Sequence, residues 1–392
     1  MIKFIKIGIL LCFTITLFAN EIKLGNPVTI DFLNKYYGEE VTATQEGDYS
    51  NIYANYEERY ILYDLNLYRL APQILKNEDV NTAPDVKKCI DWGYCFQPVK
   101  PLYWNIDLSR AARFHDDDMI KNNCFAHNDC DGGDIWARIQ RYYTSSAMGE
   151  NIAAGSKYDE VTKNFVNEKS APLGTTGHRE SVFSASFNEV GLGYLLGGSY
   201  RMYTTQDFGA SATPTFIPAG IHSPKSPNKG SNVKFMAIYH DKNQNPDENP
   251  KFYLVLNGKK IEMQKKHSSL DWNSDNYVGA GSVVTKNWYS AAYEINADIE
   301  KGCNNYNFLA VTNGEEHYYP DEGSLLVGSA CNNKIYDKNR IVINNTGSTG
   351  GGNGAPSEEG CSFSNTNNNQ WLFIFMIFII IYQKERYRKK IK

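Results

Sequence analysis

Residues 124–130 read CFAHNDC, which places His127 three residues from a cysteine on either side. Thiolates and imidazoles are the usual zinc ligands in proteins, so this stretch could belong to a zinc knuckle. In an exported protein the same cysteines would instead form a disulfide, and His127 would sit on the small loop that it closes. The compartment in which the chain folds therefore bears on the chemistry of His127.

The N-terminus has the pattern of a secretory signal peptide over residues 1–19. Lys3 and Lys6 give it a basic start, an apolar run follows, and Ala19 offers a small residue for cleavage. Residues 20–57 are expected to form an N-terminal extension. The pattern predicts a secreted protein that folds in an oxidising compartment.

Seven cysteines lie outside the signal peptide, and six of them fall into three pairs. We expect disulfides between the members of these pairs, although other pairings of the first four remain open. The pairs are Cys89 with Cys95, Cys124 with Cys130, and Cys303 with Cys331. Cys361 is the remaining cysteine, and its place near the C-terminus suits a lipid, anchoring or sorting reaction.

The C-terminus contains a polar linker, residues 339–370, and then a tail, residues 371–392. The tail has an apolar run, WLFIFMIFIIIY, directly before six Lys and Arg residues. This arrangement is typical of a stop-transfer segment and is similar to the sorting tails of some bacterial surface proteins. We expect a protein at the outer cell surface or secreted, in contact with the membrane through this tail before any processing. A buried strand is the alternative.

The charge of the chain excludes one class of partner. The whole chain carries a formal charge of −4, and removal of the basic N- and C-terminal segments leaves an acidic body of −11. Nucleic-acid binding depends on Lys and Arg contacts to phosphate. We therefore expect no nucleic-acid partner.

The pattern of the body predicts an α/β-type (α+β) region followed by a β-rich region. Helical periodicity covers residues 58–70 and 105–121, with His115 on the apolar side of the second helix as either a core histidine or a ligand. A third helix is predicted over 157–170, where Glu168 shares the apolar face, at its boundary or in a polar pocket. From residue 213 to 338, five to seven short alternating segments predict a β-sandwich.

Residues 58–212 contain a series of motifs in a recognisable order: ILYDLNLYRLAP, LYWNIDLSRAARFHDDDM, CFAHNDCDGGDIWARI, MGENIAAG, FVNE, TGHRESVFSASFNEVGLGY and YTTQDFG. In these motifs the region resembles the CAP domain of cysteine-rich secretory proteins, antigen 5 and plant pathogenesis-related proteins, also called the SCP domain. The resemblance implies an α-β-α sandwich. Through YHDKNQNPDENPKFYLVLNG and YYPDEGSLL, the β-rich region after it resembles the immunoglobulin-like modules of bacterial surface proteins.

In that family two histidines and two acidic residues line a shallow pocket. By motif, the resemblance assigns these positions to His127, Glu150, Glu168 and His178. Two imidazoles with nearby carboxylates suit Zn²⁺ or another divalent ion, and the metal ligands would be His127 and His178.

Three interpretations of these four residues stay open. The first is a non-enzymatic module that binds a metal, a small or lipid-like ligand, or a host or cell-surface partner. The second is a metal-assisted extracellular hydrolase of proteins or the cell envelope, in which Glu150 would activate a water. The third is a purely structural hydrogen-bond cluster.

The neighbouring run DCDGGD also invites a calcium interpretation, through Asp129, Asp131 and Asp134. It lacks the ligand spacing and the terminal glutamate of a calcium loop. A polar turn is the interpretation that the spacing favours.

Overall fold

The computed structural model describes residues 54–77, 96–167, 177–243, 250–273, 287–332 and 334–337. All of them belong to one compact unit that covers residues 1–344. The predicted signal peptide, linker, tail and disulfide Cys89–Cys95 lie outside the described residues, as do Glu168 and Cys361. Within the described residues, no helix is long and apolar enough to cross a membrane.

The first part of the chain contains a four-stranded sheet in the order β1-β3-β4-β2. Its strands are β1 (Tyr103–Trp104), β2 (Gly149–Ala154), β3 (Glu189–Gly197) and β4 (Arg201–Gly209). β1 runs parallel to β3, and the other neighbours are antiparallel. The two strands predicted from GLGYLL and YRMYTTQDFG are confirmed as β3 and β4.

Within the described residues, five α-helices cover the two faces of this sheet. They are α1 (Tyr56–Leu70), α2 (Ile106–Asn122), α3 (Ile135–Gln140), α4 (Val161–Val166) and α5 (His178–Phe183). α2 packs on one face of the sheet together with α3. α1, α4 and α5 share a hydrophobic core with the other face. The result is three layers, helix, sheet and helix.

The two long helices begin where the sequence offers a capping residue. Asn55 accepts a hydrogen bond from the backbone of Glu58, whose carboxylate accepts one from the Asn55 backbone, which is a capping box. Asn105 caps α2 in the same way through the backbone N–H of Leu108. Both helices match the predicted helical segments to within two residues.

α2 approaches β3 so closely that the strand must carry a glycine at the crossing. A Cβ atom on Gly191 would lie 2.0 Å from the backbone carbon of Leu108. No side chain fits at that distance. This contact fixes how far the helix that carries His115 lies from the sheet.

After residue 212, the described residues form two further sheets. One contains β5 (Ala219–Ser223), β6 (Asn232–Asp241), β9 (Gln264–Ser268) and β10 (Tyr289–Asp298), in the order β5-β6-β10-β9. The other has the order β14-β13-β11-β7-β8, and β12 also pairs with β11. Its strands are β7 (Lys251–Leu256), β8 (Lys259–Glu262), β11 (Asn304–Thr312), β12 (Glu315–Tyr319), β13 (Ser324–Val327) and β14 (Tyr336–Asp337).

The sheet-rich character predicted for this region is confirmed, with more strands in the described residues than expected. The predicted hairpin at Asn257-Gly258 joins β7 to β8, and both turn residues have the positive φ that such a turn requires. A disulfide between Cys303 and Cys331 links the start of β11 to the turn after β13, as expected.

β6 divides its side chains between two hydrophobic cores. Phe235 and Tyr239 point into the core between the two later sheets. Met236 and Ile238 point the other way, into the core that contains α1. The alternation follows from the two-residue period of a strand. Consequently α1 packs between the first sheet and the β5–β6–β10–β9 sheet. The hydrophobic core around α1 thus contains residues from both sides of the predicted domain boundary after residue 212.

Candidate functional site

The loop that carries His127 is closed by a disulfide between Cys124 and Cys130. Both sulfurs are therefore bonded to each other, and the zinc-knuckle interpretation is wrong. The disulfide interpretation is confirmed. The loop is also held to α2, because the carboxylate of Asp118 accepts a hydrogen bond of 2.7 Å from the backbone of Cys130.

His127 and Glu150 are in direct contact. The distance between His127 Nδ1 and Glu150 Oε1 is 2.8 Å. The side chain of His127 is 50% exposed, whereas that of Glu150 is 0% exposed. A carboxylate accepts hydrogen bonds only, so in the neutral imidazole Nδ1 carries the proton and Nε2 keeps its lone pair. Glu150 on β2 thus orients a half-exposed imidazole from below.

Arg138 on α3 organises the buried side of this contact. Its guanidinium forms ion pairs with Glu150 Oε2 and with Asp129 Oδ1. It also donates a hydrogen bond of 3.1 Å to the backbone carbonyl of His127. The guanidinium is fully buried. One side chain therefore fixes the carboxylate, the loop and the backbone of the histidine.

The charges of this cluster keep Glu150 ionised. Burial alone would raise the pKa of Glu150, but the hydrogen bond from His127 and the charge of Arg138 bring the pKa below its usual value. Burial alone would lower the pKa of Arg138, and the charge of Glu150, with the hydrogen bond to and the charge of Asp129, raises it instead. The two groups therefore form a stable ion pair.

Two more carboxyl groups lie behind Glu150. Asp207 on β4 is its direct cross-strand neighbour. Burial, and then the charge of Glu150, raise the pKa of Asp207 well above its usual value. Asp116 on α2 accepts a hydrogen bond of 2.6 Å from Thr205, and burial raises the pKa of Asp116 to about 8. These groups favour the neutral acid.

His115 supports the loop from below. It is fully buried, and its Nε2 lies 2.8 Å from the carbonyl oxygen of Ala126. Burial, and then the charge of Arg138, lower the pKa of His115 below its usual value. Of the two predicted alternatives, these contacts support the core histidine.

The aspartates of DCDGGD make the contacts of a polar turn. Asp131 accepts from the backbone of Gly133 at 2.9 Å, and Asp134 caps α3 by accepting from Ala137 at 3.0 Å. Asp129 pairs with Arg138 and with Arg141, the latter at 3.2 Å. These contacts account for the three carboxylates without a calcium ion.

His178, the first residue of α5, contacts β2 at Asn151, the residue that follows Glu150. Its backbone carbonyl accepts a hydrogen bond of 3.2 Å from Asn151, and its ring lies 4.8 Å from that of Phe165. The structure thus brings His127 and Glu150 together and places His178 beside the same strand.

Sequence reasoning missed Arg138. Its one signal in the sequence is that a charged residue stands one turn after Ile135, on the apolar side of α3.

Whether a zinc ion can bind beside His127 depends on which donor atoms there are already engaged in other contacts. Both oxygens of Glu150 are engaged, by His127 and by Arg138, so Glu150 supports the imidazole instead of binding metal itself. Within the described residues, two groups of three side chains are close enough to share an ion, and neither contains His127. One of them includes the bonded cysteines, and the other includes Asp129, which is paired with arginines. The available donor at this site is His127 Nε2.

The residues of this site lie within a stretch that matches a known family. Residues 97–208 match the model of the CAP, cysteine-rich secretory protein, family. His127, Arg138, Glu150 and Asp207 all fall inside the matched stretch. The chain therefore contains a CAP domain, and the resemblance inferred from the sequence is confirmed for that domain.

Similar proteins are found in several bacteria. The chain is 33% identical over 115 residues to the uncharacterized protein YkwD of Bacillus subtilis (strain 168), and the match covers 29% of this chain and 41% of that protein. It is 28% identical to an extracellular SCP-domain protein from Bacillus anthracis str. Ames, covering 29% of this chain and 35% of that one, with a TM-score of 0.23. An outer surface protein from Borrelia burgdorferi is 19% identical, covering 29% and 80%, with a TM-score of 0.25. The match thus spans about two fifths of the length of the curated relative.

Proposed function

We propose that this chain is a secreted or cell-surface binding protein, and that its CAP domain binds a metal ion or the polar group of a ligand through His127 without catalysis. One observation carries the proposal. His127 is half exposed, and its Nδ1 lies 2.8 Å from the fully buried carboxylate of Glu150. That contact leaves Nε2 as an oriented donor at the surface.

This arrangement suits Zn²⁺ or another divalent ion. A histidine that binds metal usually donates its other ring N–H to a carboxylate, which fixes the tautomer and makes the ring a better ligand. Glu150 does this for His127. His178 would supply the second imidazole, and the bound ion would supply a positive charge that attracts an anionic or polar ligand group.

A lipid-like or otherwise amphipathic ligand is supported by the surface beside His127. Phe125 lies on the same disulfide loop and is exposed, as is Tyr200. Their ring centroids are 5.9 Å apart. An exposed aromatic pair next to an oriented imidazole would contact the apolar and the polar part of one ligand.

The alternative is a metal-assisted hydrolase in which Glu150 acts as general base. A general base must be able to accept a proton from a water. Both oxygens of Glu150 are already engaged, and the charge of Arg138 helps to keep its pKa low. These contacts support binding over hydrolysis.

The proposed location is supported by the two disulfides in the described residues, Cys124–Cys130 and Cys303–Cys331. Disulfides persist in oxidising, extracytoplasmic compartments. We propose that the sheet-rich region is an immunoglobulin-like module that presents the CAP domain, with the C-terminal tail as a membrane or sorting anchor. A host or cell-surface partner would meet the protein there.

Titration calorimetry with zinc on the chelator-treated protein tests the proposal. We expect His127→Ala to weaken zinc binding at least tenfold, and His267→Ala, which changes a half-buried histidine of β9, to leave it unchanged. Equal affinity in wild type and His127→Ala would refute the proposed contact. Peptide and glycan cleavage assays run in parallel decide the alternative, since cleavage that disappears in His127→Ala would establish a hydrolase.

A further inference from the structure

Arg59 on α1 is a buried cation that forms no ion pair with a carboxylate in the described part of the protein. Its residue exposure is 2%. Its Nε, Nη1 and Nη2 atoms are buried, and the contact that reaches the guanidinium is a hydrogen bond with the neutral hydroxyl of Tyr306. An unpaired buried charge is strongly unfavourable, because it has lost its hydration without a compensating contact. A charge in this position calls for an anion.

The rings around Arg59 do not supply that anion. Burial raises the pKa of Tyr56 and of Tyr306, and the charge of Arg59 opposes both rises. Burial, and then the charge of Arg59, lower the pKa of His222 to about 3. His222 is therefore neutral, with its ring nitrogens 2.8 Å from Tyr306 Oη and 3.1 Å from the carbonyl oxygen of Lys225.

The nearest carboxylates of α1 are engaged elsewhere. Glu58 forms a fully buried ion pair with Arg113 at 2.7 Å. Glu57 pairs with Lys225 Nζ at 2.5 Å. Glu57 thus offsets the charge of Lys225, and no carboxylate of the described residues forms an ion pair with Arg59.

A small cavity of about 40 Å³ lies next to these rings. Tyr56 and His222, on both of which the charge of Arg59 acts, line it, and Lys225 and Lys334 stand at its wall. None of the described residues that line it is acidic. Tyr56 is also the first residue of α1, and the N-terminal end of a helix carries partial positive charge. Because Glu57 offsets the charge of Lys225, Lys334 and Arg59 give the cavity its positive potential.

We propose that this cavity binds a small oxyanion, a carboxylate or a phosphate group, in the field of Arg59 with Lys225 and Lys334 as direct contacts. The hydroxyl groups of Ser226 and Ser329 also line the cavity and would donate hydrogen bonds to such a group. The volume admits a small ion or the end of a larger ligand. This site is separate from His127 and does not depend on the function proposed above.

Because of its position, the cavity would let a bound anion contact two parts of the protein that are distant in sequence. Tyr56 belongs to α1, the first helix of the described residues, whereas Leu326 and Ile335 belong to the β13–β14 end of the sheet that contains β11, and all three line the cavity. An anion bound there would hold these two parts of the protein together. Binding to the folded state alone raises stability in proportion to the logarithm of ligand concentration.

The test titrates inorganic phosphate, and separately acetate, into the purified full chain at constant ionic strength and follows the unfolding midpoint. We expect a saturable rise for at least one of the two ions, and the responding ion identifies the preferred group. Lys334→Gln and Lys225→Gln should each weaken the apparent affinity at least threefold. Lys259→Gln is the matched control, because this exposed lysine of β8 does not line the cavity and pairs with Glu300 instead.

Arg59→Met should abolish the response. If that variant does not fold, the two lysine variants still decide the question. The proposal is overturned if neither ion gives a saturable rise, or if Lys334→Gln and Lys225→Gln respond as Lys259→Gln does.

Discussion

Glu150 and Asp207 lie directly opposite one another on β2 and β4, and both carboxyl groups are buried. Two ionised carboxylates at directly opposite positions of neighbouring strands repel each other strongly in a low-dielectric environment. The protein resolves this by opposite shifts, since the pKa of Glu150 is lowered and the pKa of Asp207 is raised well above its usual value. These shifts favour the protonated form of Asp207 and the ionised form of Glu150, whose carboxylate faces His127 and Arg138.

Asp207→Asn should remove a pH dependence of stability. A carboxyl whose folded pKa is raised stabilises the fold below its ordinary pKa, and this contribution is lost as pH rises towards the folded pKa. Wild type should thus lose stability relative to Asp207→Asn as pH rises, by up to about 1.4 kcal/mol per pH unit. Urea unfolding at pH 5, 7 and 9 measures it, with the exposed Asp131→Asn as control. Parallel curves for wild type and Asp207→Asn would contradict the assignment.

Arg138→Met should be strongly destabilising. It would leave the buried carboxylate of Glu150 without its cation and Asp129 with Arg141 alone, and the loss of one partner of a buried ion pair costs about 3–5 kcal/mol. Arg141→Met removes a more exposed partner of Asp129 and should cost less than about 1 kcal/mol. Denaturant midpoints compare the two. Similar losses in both variants would show that Arg138 has no special place in the cluster.

The Arg138→Lys variant tests whether Arg138 positions His127, separately from its effect on the stability of the protein. Lysine keeps the charge but cannot reach two carboxylates and the His127 carbonyl with one planar group. We expect this variant to fold and the Nδ1–H tautomer of His127 to lose population, which long-range ¹H–¹⁵N spectra of the imidazole measure. An unchanged tautomer would mean that Glu150 holds its orientation without Arg138.

Ile238→Ala should weaken the CAP domain although the residue lies in the sheet-rich region. Ile238 is fully buried in the core that contains α1, and such truncations cost about 2–5 kcal/mol. Amide hydrogen exchange should show β3 and β10 losing protection together. Leu270→Ala, at an exposed site, is the control. Loss of protection in β10 alone would indicate that the two parts unfold independently.

Removal of the Cys124–Cys130 disulfide should affect the site more than the fold. Replacement of both cysteines by serine should cost about 2–3 kcal/mol from the short loop and should weaken binding at His127. The equivalent change at Cys303 and Cys331 should destabilise the protein and leave His127 unaffected. Calorimetric zinc titrations of both double variants make the comparison. Equal zinc affinities would mean that the disulfide does not position the histidine.

Much of the architecture was predictable because local patterns in the sequence determine it. The apolar spacing in residues 58–70 and 105–121 matches α1 and α2, and alternating segments after residue 213 match strands. The order of the motifs identified the CAP domain, and the same motifs named His127 and Glu150, which the structure places 2.8 Å apart. Periodicity and motif order are properties of neighbouring residues, so one sequence displays them.

The remaining features needed the folded chain. CFAHNDC was compatible with zinc or with a disulfide, and the bond between the two sulfurs decided between them. Arg138 and Asp207 belong to the cluster around Glu150, yet they come from a helix and a strand that no local pattern connects to it. The position of α1 between two sheets, and of Arg59 beside His222, likewise depends on contacts between distant segments. Such contacts are determined by packing, which leaves no period in the sequence.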